Sequence, residues 1–140
     1  MTPNPMYEHL RNNPHLSCVI QNGTEIREFC RRGVVDLFDL TQNEPEFLHG
    51  ATVADKIVGK GAAACMVLGG ISELYTNSIS RAALKLLQTA NIPVFYEQCV
   101  DTIQNRTRTD ICPVEKLCST TDNVPEMIEL IRNFLNTTSK

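Results

Sequence analysis

Five residues near the middle of the chain are the first candidates for chemistry. Thr52, Asp55, Lys56, Gly59 and Lys60 follow one another closely and precede a long apolar run. The pattern predicts that they open a helix, with a threonine N-cap and an aspartate that closes a capping box. The lysines oppose the helix dipole and the glycine weakens a helix, so capping alone does not account for them. A helix N-terminus beside lysines suits an anion such as phosphate, while capping with close packing is the alternative interpretation.

Further candidates lie in the second half of the chain. Arg81 begins a predicted helix, and Asn105 with Arg106 falls in a polar segment that we expect to be an exposed loop. Cys112 precedes another predicted helix, whose first turn contains Glu115. A thiol next to a helix N-terminus and arginines has a lowered pKa, which would make it a nucleophile or a redox group. The alternative is a solvated loop followed by a helix whose first-turn glutamate suits the dipole.

Two nucleotide-binding motifs fail on their context. The run Gly59–Ala64 has the letters of the dinucleotide fingerprint G-x-G-x-x-G/A, which requires a strand directly before it. Asp55 and Lys56 would have to sit inside that strand, and Glu73, the expected ribose-binding acid, would precede the next strand rather than end it. The phosphate-binding P-loop pattern needs a glycine where Ala54 stands. We therefore predict neither a Rossmann site nor a P-loop.

The histidines and cysteines do not predict a metal site. His9, His15 and His49 fall in terminal or loop segments without metal-ligand spacing. No C-x-x-C pair occurs, and the separation of Cys112 and Cys118 is wider than the about two to four residues of zinc knuckles. We predict reduced thiols, no metal and no cofactor.

Composition bounds the class of protein. The 140 residues are 42% hydrophobic, enough for one ordinary globular domain, 1–140, with its own core. The formal net charge of -3 does not favour binding to nucleic acid or to an anionic membrane surface. The longest apolar stretch is too short for a membrane span, and the N-terminus lacks the apolar core of a signal peptide. We therefore expect a cytoplasmic location.

The order of the predicted elements gives a fold class. It is a three-layer α/β/α sandwich on a mixed sheet, within the α/β class. Asn22-Gly23 is a strong hairpin signal, and Gly69-Gly70 is a helix-stop signal. The predicted elements are a helix at about 3–12, a hairpin over 16–29, a helix over 34–41, a central helix over 52–69, a strand over 73–78, a helix over 81–90, a strand over 93–98, a loop over 101–111, a helix over 113–118 and a helix at about 125–136.

The chain resembles proteins with a cytidine-deaminase-like fold, and more narrowly a small prokaryotic family of unknown function on that fold. The resemblance covers roughly residues 14–120. It depends on five segments, which are Leu16–Ile20, Arg32-Gly33, Gly50–Lys60, Val67–Gly70 and Cys112–Lys116. The long central segment, Gly50–Lys60, is the most specific of them.

The resemblance implies that the zinc chemistry of deaminases is absent. Those enzymes read H-A-E at the start of the central helix and P-C-x-x-C at the start of the next one. This chain has Val53-Ala54-Asp55 and Asn77–Arg81 at the corresponding places, so every zinc ligand is missing. Asp55 would stand where the proton-shuttling glutamate belongs. Deamination needs a metal-bound hydroxide, so we predict no deaminase activity.

Three functions are consistent with these observations. The first is a metal-free domain that binds a small anionic or nucleotide-derived ligand. The second is an enzyme of another class, with Cys112 as the nucleophile and Asp55 or Glu115 as the proton carrier. The third is an interaction module that forms a homodimer. For the first function, the residues that would line the ligand site are Thr52, Asp55, Lys56, Gly59, Lys60, Arg81, Asn105, Arg106 and Glu115.

Overall fold

A computed structural model describes residues 4–31, 34–102 and 113–138 of the chain. Its elements in chain order are α1 (Pro5–Asn12), β1 (Cys18–Asn22), β2 (Glu25–Phe29), α2 (Val35–Asn43), α3 (Pro45–Leu48), β3 (Thr52–Val58), α4 (Lys60–Gly69), β4 (Glu73–Ser80), α5 (Arg81–Thr89), β5 (Val94–Val100), α6 (Pro113–Cys118) and α7 (Val124–Thr138).

The strands form one mixed sheet of five strands in the order β2-β1-β3-β4-β5. β1 is antiparallel to both β2 and β3, whereas β3, β4 and β5 are parallel. The hairpin predicted at Asn22-Gly23 is confirmed, since Asn22 pairs with Glu25 and Gly23 has the positive φ of 61° that its tight turn requires. The parallel unit β4-α5-β5 is confirmed as well.

The segment over 52–58 corrects the sequence analysis. Thr52 is not a helix N-cap, and Asp55 does not close a capping box, because both lie in strand β3 and the helix begins only at Lys60. β3 is the middle strand of the sheet and is largely buried on both faces. Its sequence therefore does not alternate between apolar and polar residues, which is the pattern that would distinguish a strand from a helix. Asp55 and Lys56 therefore do sit inside a strand, and that objection to the dinucleotide fingerprint was wrong. The objection from Glu73 stands, since it is the first residue of β4.

α4 is the central helix that its apolar sequence predicts. All of its residues except Val67 and Leu68 are buried, between the sheet and the apolar side of α7. The opposite face of the sheet has a smaller core, in which α1 packs on β1, β3 and β4. Helices therefore lie on both faces, but in the described ranges α1 alone forms the second outer layer.

Strands β3 and β4 change the alternation of their side chains before they end. Val53 and Val58 are five positions apart, as are Leu74 and Ile79, and such side chains point to opposite faces of an undisturbed strand. All four nevertheless belong to the main core under α4. The alternation of β3 and β4 therefore changes phase, at the level of Lys56.

α1 is fixed to the sheet through one phenol. The Tyr7 hydroxyl donates to Glu97 on β5, and the Asn77 amide on β4 donates to the same carboxylate oxygen at 2.8 Å. Burial and the Glu97 hydrogen bond raise the pKa of Tyr7 to about 12. The phenol thus ties the only helix described on this face to two strands.

Replacing this phenol tests the anchor. Tyr7→Phe keeps the ring in its core and removes the donor, so the free energy of unfolding should fall by roughly 1 kcal/mol, the usual net value of one hydrogen bond. Urea unfolding measures the change. Tyr96→Phe is the matched control, since Tyr96 is an exposed tyrosine on β5 and its replacement should change nothing. Equal losses in the two variants would contradict the anchor.

Candidate functional site

The candidate site is built around the buried side chain of Glu115, on α6. Its Oε1 accepts a hydrogen bond from the backbone N–H of Lys60, the first residue of α4, at 3.0 Å. The helix N-cap, Gly59, has no side chain to offer this N–H group. A residue far away in the sequence therefore satisfies one of the donors that every helix N-terminus leaves free.

Ser80 joins a second helix to the same carboxylate. Its hydroxyl donates to Glu115 Oε1 at 3.3 Å and accepts from the backbone N–H of Ala83 at 3.2 Å, so it caps α5. Glu115 thus lies where the N-termini of α4 and α5 meet, beyond the carboxyl ends of β3 and β4. The positive ends of two helix dipoles favour a negative group at this point.

Gly61 explains how α6 comes so close to α4. A Cβ atom at this position would lie 2.4 Å from Cγ1 of Val114, the residue before Glu115. Only a residue without a side chain leaves room for that methyl group. The glycine is therefore needed for close packing, which delivers the Glu115 carboxylate to the Lys60 N–H.

The side chain of Lys60 holds the turn that follows α6. Its Nζ donates to the carbonyl of Thr121 at 2.6 Å and to Oδ1 of Asp122 at 2.8 Å. Lys60 is buried, whereas the side chain of Asp122 is 90% exposed. The lysine hydrogen bond and charge lower the pKa of Asp122. Backbone and side chain of one residue thus bind both α6 and its turn to α4.

The second oxygen of Glu115 is unusual. Oε2 is buried and has no hydrogen-bond partner in the described parts of the chain, although Glu115 is only 5% exposed. A buried acceptor without a partner is destabilising, and native structures contain few of them. The carboxylate is therefore held at its place by one oxygen only.

Asp55 belongs to a different polar cluster. It lies opposite Cys18 on β1, and the charge of Asp36 on α2 acts on both residues. Burial raises the pKa of Asp55 to about 7, against the N–H groups of Ile57 and Lys56, which lower it, and with a smaller raising effect from Asp36. Burial also raises the pKa of the Cys18 thiol well above its ordinary value. The structure thus places Asp55 in the core, where burial keeps its carboxyl protonated in mild acid.

Two of the other predicted residues lie elsewhere in the fold. Lys56 donates to the carbonyls of Asn13 and Pro14 at 3.2 and 3.1 Å, which fixes the chain after α1. Thr52 is half-buried at the start of β3, away from the carboxyl edge where Glu115 lies.

Of the remaining predicted residues, one lies at the carboxyl edge of the sheet and three lie outside the described residues. Arg81 is exposed at the start of α5 and donates to Asp101 at 2.6 Å. Asn105, Arg106 and Cys112 lie outside the described residues.

The sequence predicts Lys60 and Glu115 as residues of one ligand site but does not predict the contact between them. It does not single out Ser80 or Asp122. A serine directly before the Arg81 helix run is an N-cap signal, so Ser80 could have been found. Nothing local to Asp122 indicates its contact with Lys60. Within the described ranges, no three His, Cys, Asp or Glu side chains are grouped so as to hold a metal ion, and no helix is long and apolar enough to cross a membrane.

Comparisons with known proteins identify a family and a fold. The family model described as "TM1506: Domain of unknown function (DUF1893)" matches residues 7–135. The crystal structure of a DUF1893 family protein (TM1506) from Thermotoga maritima has a TM-score of 0.82 at 24% identity, covering 95% of this chain and 92% of that chain. No curated protein matches the chain. At this identity, the structural likeness shows the shared fold alone.

Enlarging Gly61 tests the close approach of α6. In an unobstructed helix, Gly→Ala gains up to about 1 kcal/mol. Here Gly61→Ala should instead lower the free energy of unfolding by about 1 to 3 kcal/mol, because Val114 leaves no room for the new methyl group. Urea unfolding of Gly61→Ala, Val114→Ala and the double variant measures the coupling. The contact is supported when Val114→Ala relieves part of the loss, and independent effects would refute it.

Asp55 predicts a pH dependence of stability. Its carboxyl has a pKa of about 7 in the folded chain and an ordinary value in the unfolded chain, so between pH 4 and 7 the folded state binds the extra proton. Stability from this group is therefore lost as pH rises to 7. Between pH 5 and 8 the loss is on the order of 3 kcal/mol, at about 1.4 kcal/mol for a change of one in pKa.

The measurement is urea unfolding of wild type and Asp55→Asn across that range. The amide cannot ionise, so the stability of the variant relative to wild type should rise with pH. Asp101→Asn, at an exposed aspartate, is the control and should follow the wild-type profile. A parallel profile for Asp55→Asn would show that Asp55 does not titrate there.

Proposed function

The chain belongs to the DUF1893 family of domains of unknown function, and we propose that it binds a small anionic, nucleotide-derived ligand where the N-termini of α4 and α5 meet. The observation that carries this proposal is the buried carboxylate of Glu115 at that junction. The junction offers backbone and hydroxyl donors to one negatively charged oxygen, which is what binding of a phosphate or carboxylate group requires.

The proposal includes a cytidine-deaminase-like fold that lacks deaminase chemistry. The sequence alone aligned Val53-Ala54-Asp55 with the H-A-E motif at the start of the central helix. That alignment is wrong, because the two helices begin at Lys60 and Arg81. The residues at the two helix starts are Gly59, Lys60, Ser80 and Arg81, and none of them is a zinc ligand of the His or Cys type. We therefore expect no zinc-dependent deamination from this chain.

Arg81 provides the positive charge that a phosphate would meet. It follows Ser80 directly, and its side chain is 73% exposed in an ion pair with Asp101, which is also exposed. Such pairs contribute little because water and salt screen them. The guanidinium can therefore exchange Asp101 for an anionic ligand group at small loss, and guanidinium groups bind phosphate oxygens in a bidentate manner.

Thermal unfolding with added anions tests the proposal. We expect at least one of the four ribonucleoside 5′-monophosphates, or inorganic phosphate, to raise the Tm of the wild type at millimolar concentration. Arg81→Ala should raise the Kd of that ligand by up to about fivefold, as for a screened charge contact. Arg11→Ala is the control, since Arg11 is an exposed arginine on α1, on the other face of the sheet, and its loss should not change ligand binding. No stabilisation by any of these anions would overturn the proposed function.

A further inference from the structure

We infer that Glu115 is an internal competitor of the ligand, in that its carboxylate occupies the place of the ligand's anionic group and leaves when the ligand binds. This inference rests on the proposed function. Glu115 Oε1 already uses the Lys60 N–H and the Ser80 hydroxyl, the two donors that face the junction. A ligand oxyanion can therefore reach them only by exchange.

The occupying carboxylate is poorly satisfied. Oε2 of Glu115 is buried without a partner in the part of the chain that the structure describes. Burying a carboxylate oxygen without a hydrogen bond destabilises the arrangement in which Glu115 occupies the junction. Release of Glu115 to water removes this penalty. An anion whose oxygens are more fully hydrogen-bonded at the junction therefore replaces Glu115 with a favourable change in free energy.

The element that carries Glu115 is a single short helix. α6 has six residues, and its described contacts with α4 run through Val114 on Gly61, Glu115 on Lys60, and Cys118 in the main core. α7 packs on the core through Met127, Ile128 and Ile131, and it also contacts α6. Lys60 Nζ holds the turn between the two helices by its own hydrogen bonds. Withdrawal of α6 therefore breaks its contacts with α4 and α7 but leaves the direct contact between α4 and α7 in place.

Removing the competitor is the first test. Calorimetric titration of inorganic phosphate into Glu115→Ala should give a Kd at least about tenfold below that of the wild type, the factor expected from one charge-assisted hydrogen bond. Glu115→Gln keeps the shape and an acceptor oxygen but not the charge, so its Kd should lie between the two. Glu126→Gln is the control for net charge, because it removes one exposed negative charge from the start of another helix, α7.

Amide hydrogen exchange of the wild type is the second readout and does not depend on a variant that folds. The nucleoside monophosphate that raises its Tm should speed the exchange of the amides over 114–118 while it protects the Lys60 amide. Protection of both segments would make Glu115 a ligand contact and overturn the inference. A higher Kd in both Glu115 variants than in the wild type would do the same.

The outcomes separate the two proposals. Loss of ligand binding in the Glu115 variants, with stabilisation of the wild type intact, refutes the competitor and leaves the proposed function standing. Absence of binding in the wild type and in both folded variants refutes both. Circular dichroism establishes that each variant is folded before it is titrated.

Discussion

One buried carboxylate joins three helices of this fold. Glu115 on α6 accepts from the first N–H of α4 and from the hydroxyl that caps α5. The features around it follow from this interaction. Gly59 serves as an N-cap without a side chain because the capping acceptor arrives from α6, and Gly61 leaves the space through which α6 approaches. Without the carboxylate, two helix N-termini would have unsatisfied donors in a buried place.

The same interaction accounts for a lysine in an unfavourable place. A positive side chain in the first turn of a helix opposes the dipole. Lys60 avoids most of this conflict because its Nζ extends to Thr121 and Asp122, while its N–H faces the negative charge of Glu115. The residue that looked wrong for a helix start is thus the one that ties the start to two later segments.

The sequence predicts the elements whose signals are local. The Asn22-Gly23 turn, the Pro125 helix start and the amphipathic helix after Arg81 each depend on neighbours a few positions away, and the structure has all three elements. β3 was assigned to a helix because a middle strand buried on both faces has no polar side to show its period. The contact between Lys60 and Glu115 spans 55 positions, and no local pattern encodes it. Of the site, Lys60 and Glu115 were therefore predicted as separate candidates, whereas the helix start was predicted at Thr52 instead of Lys60.

Under the proposed function, an anion binds at the carboxyl edge by exchange rather than by addition. Among the described residues there, Lys60 faces Asp122, Arg81 faces Asp101, and the helix N–H faces Glu115. The Arg81–Asp101 pair is exposed on both sides, so water and salt screen it and it yields at little loss, whereas the buried Lys60 ammonium keeps its partners. Glu115 is buried, and its departure exposes the donors of two helices at once. On this proposal, the affinity of the edge for an anion depends on how well that anion replaces Glu115, and the exposed Arg81–Asp101 pair affects which arrangement of charges on the anion is preferred.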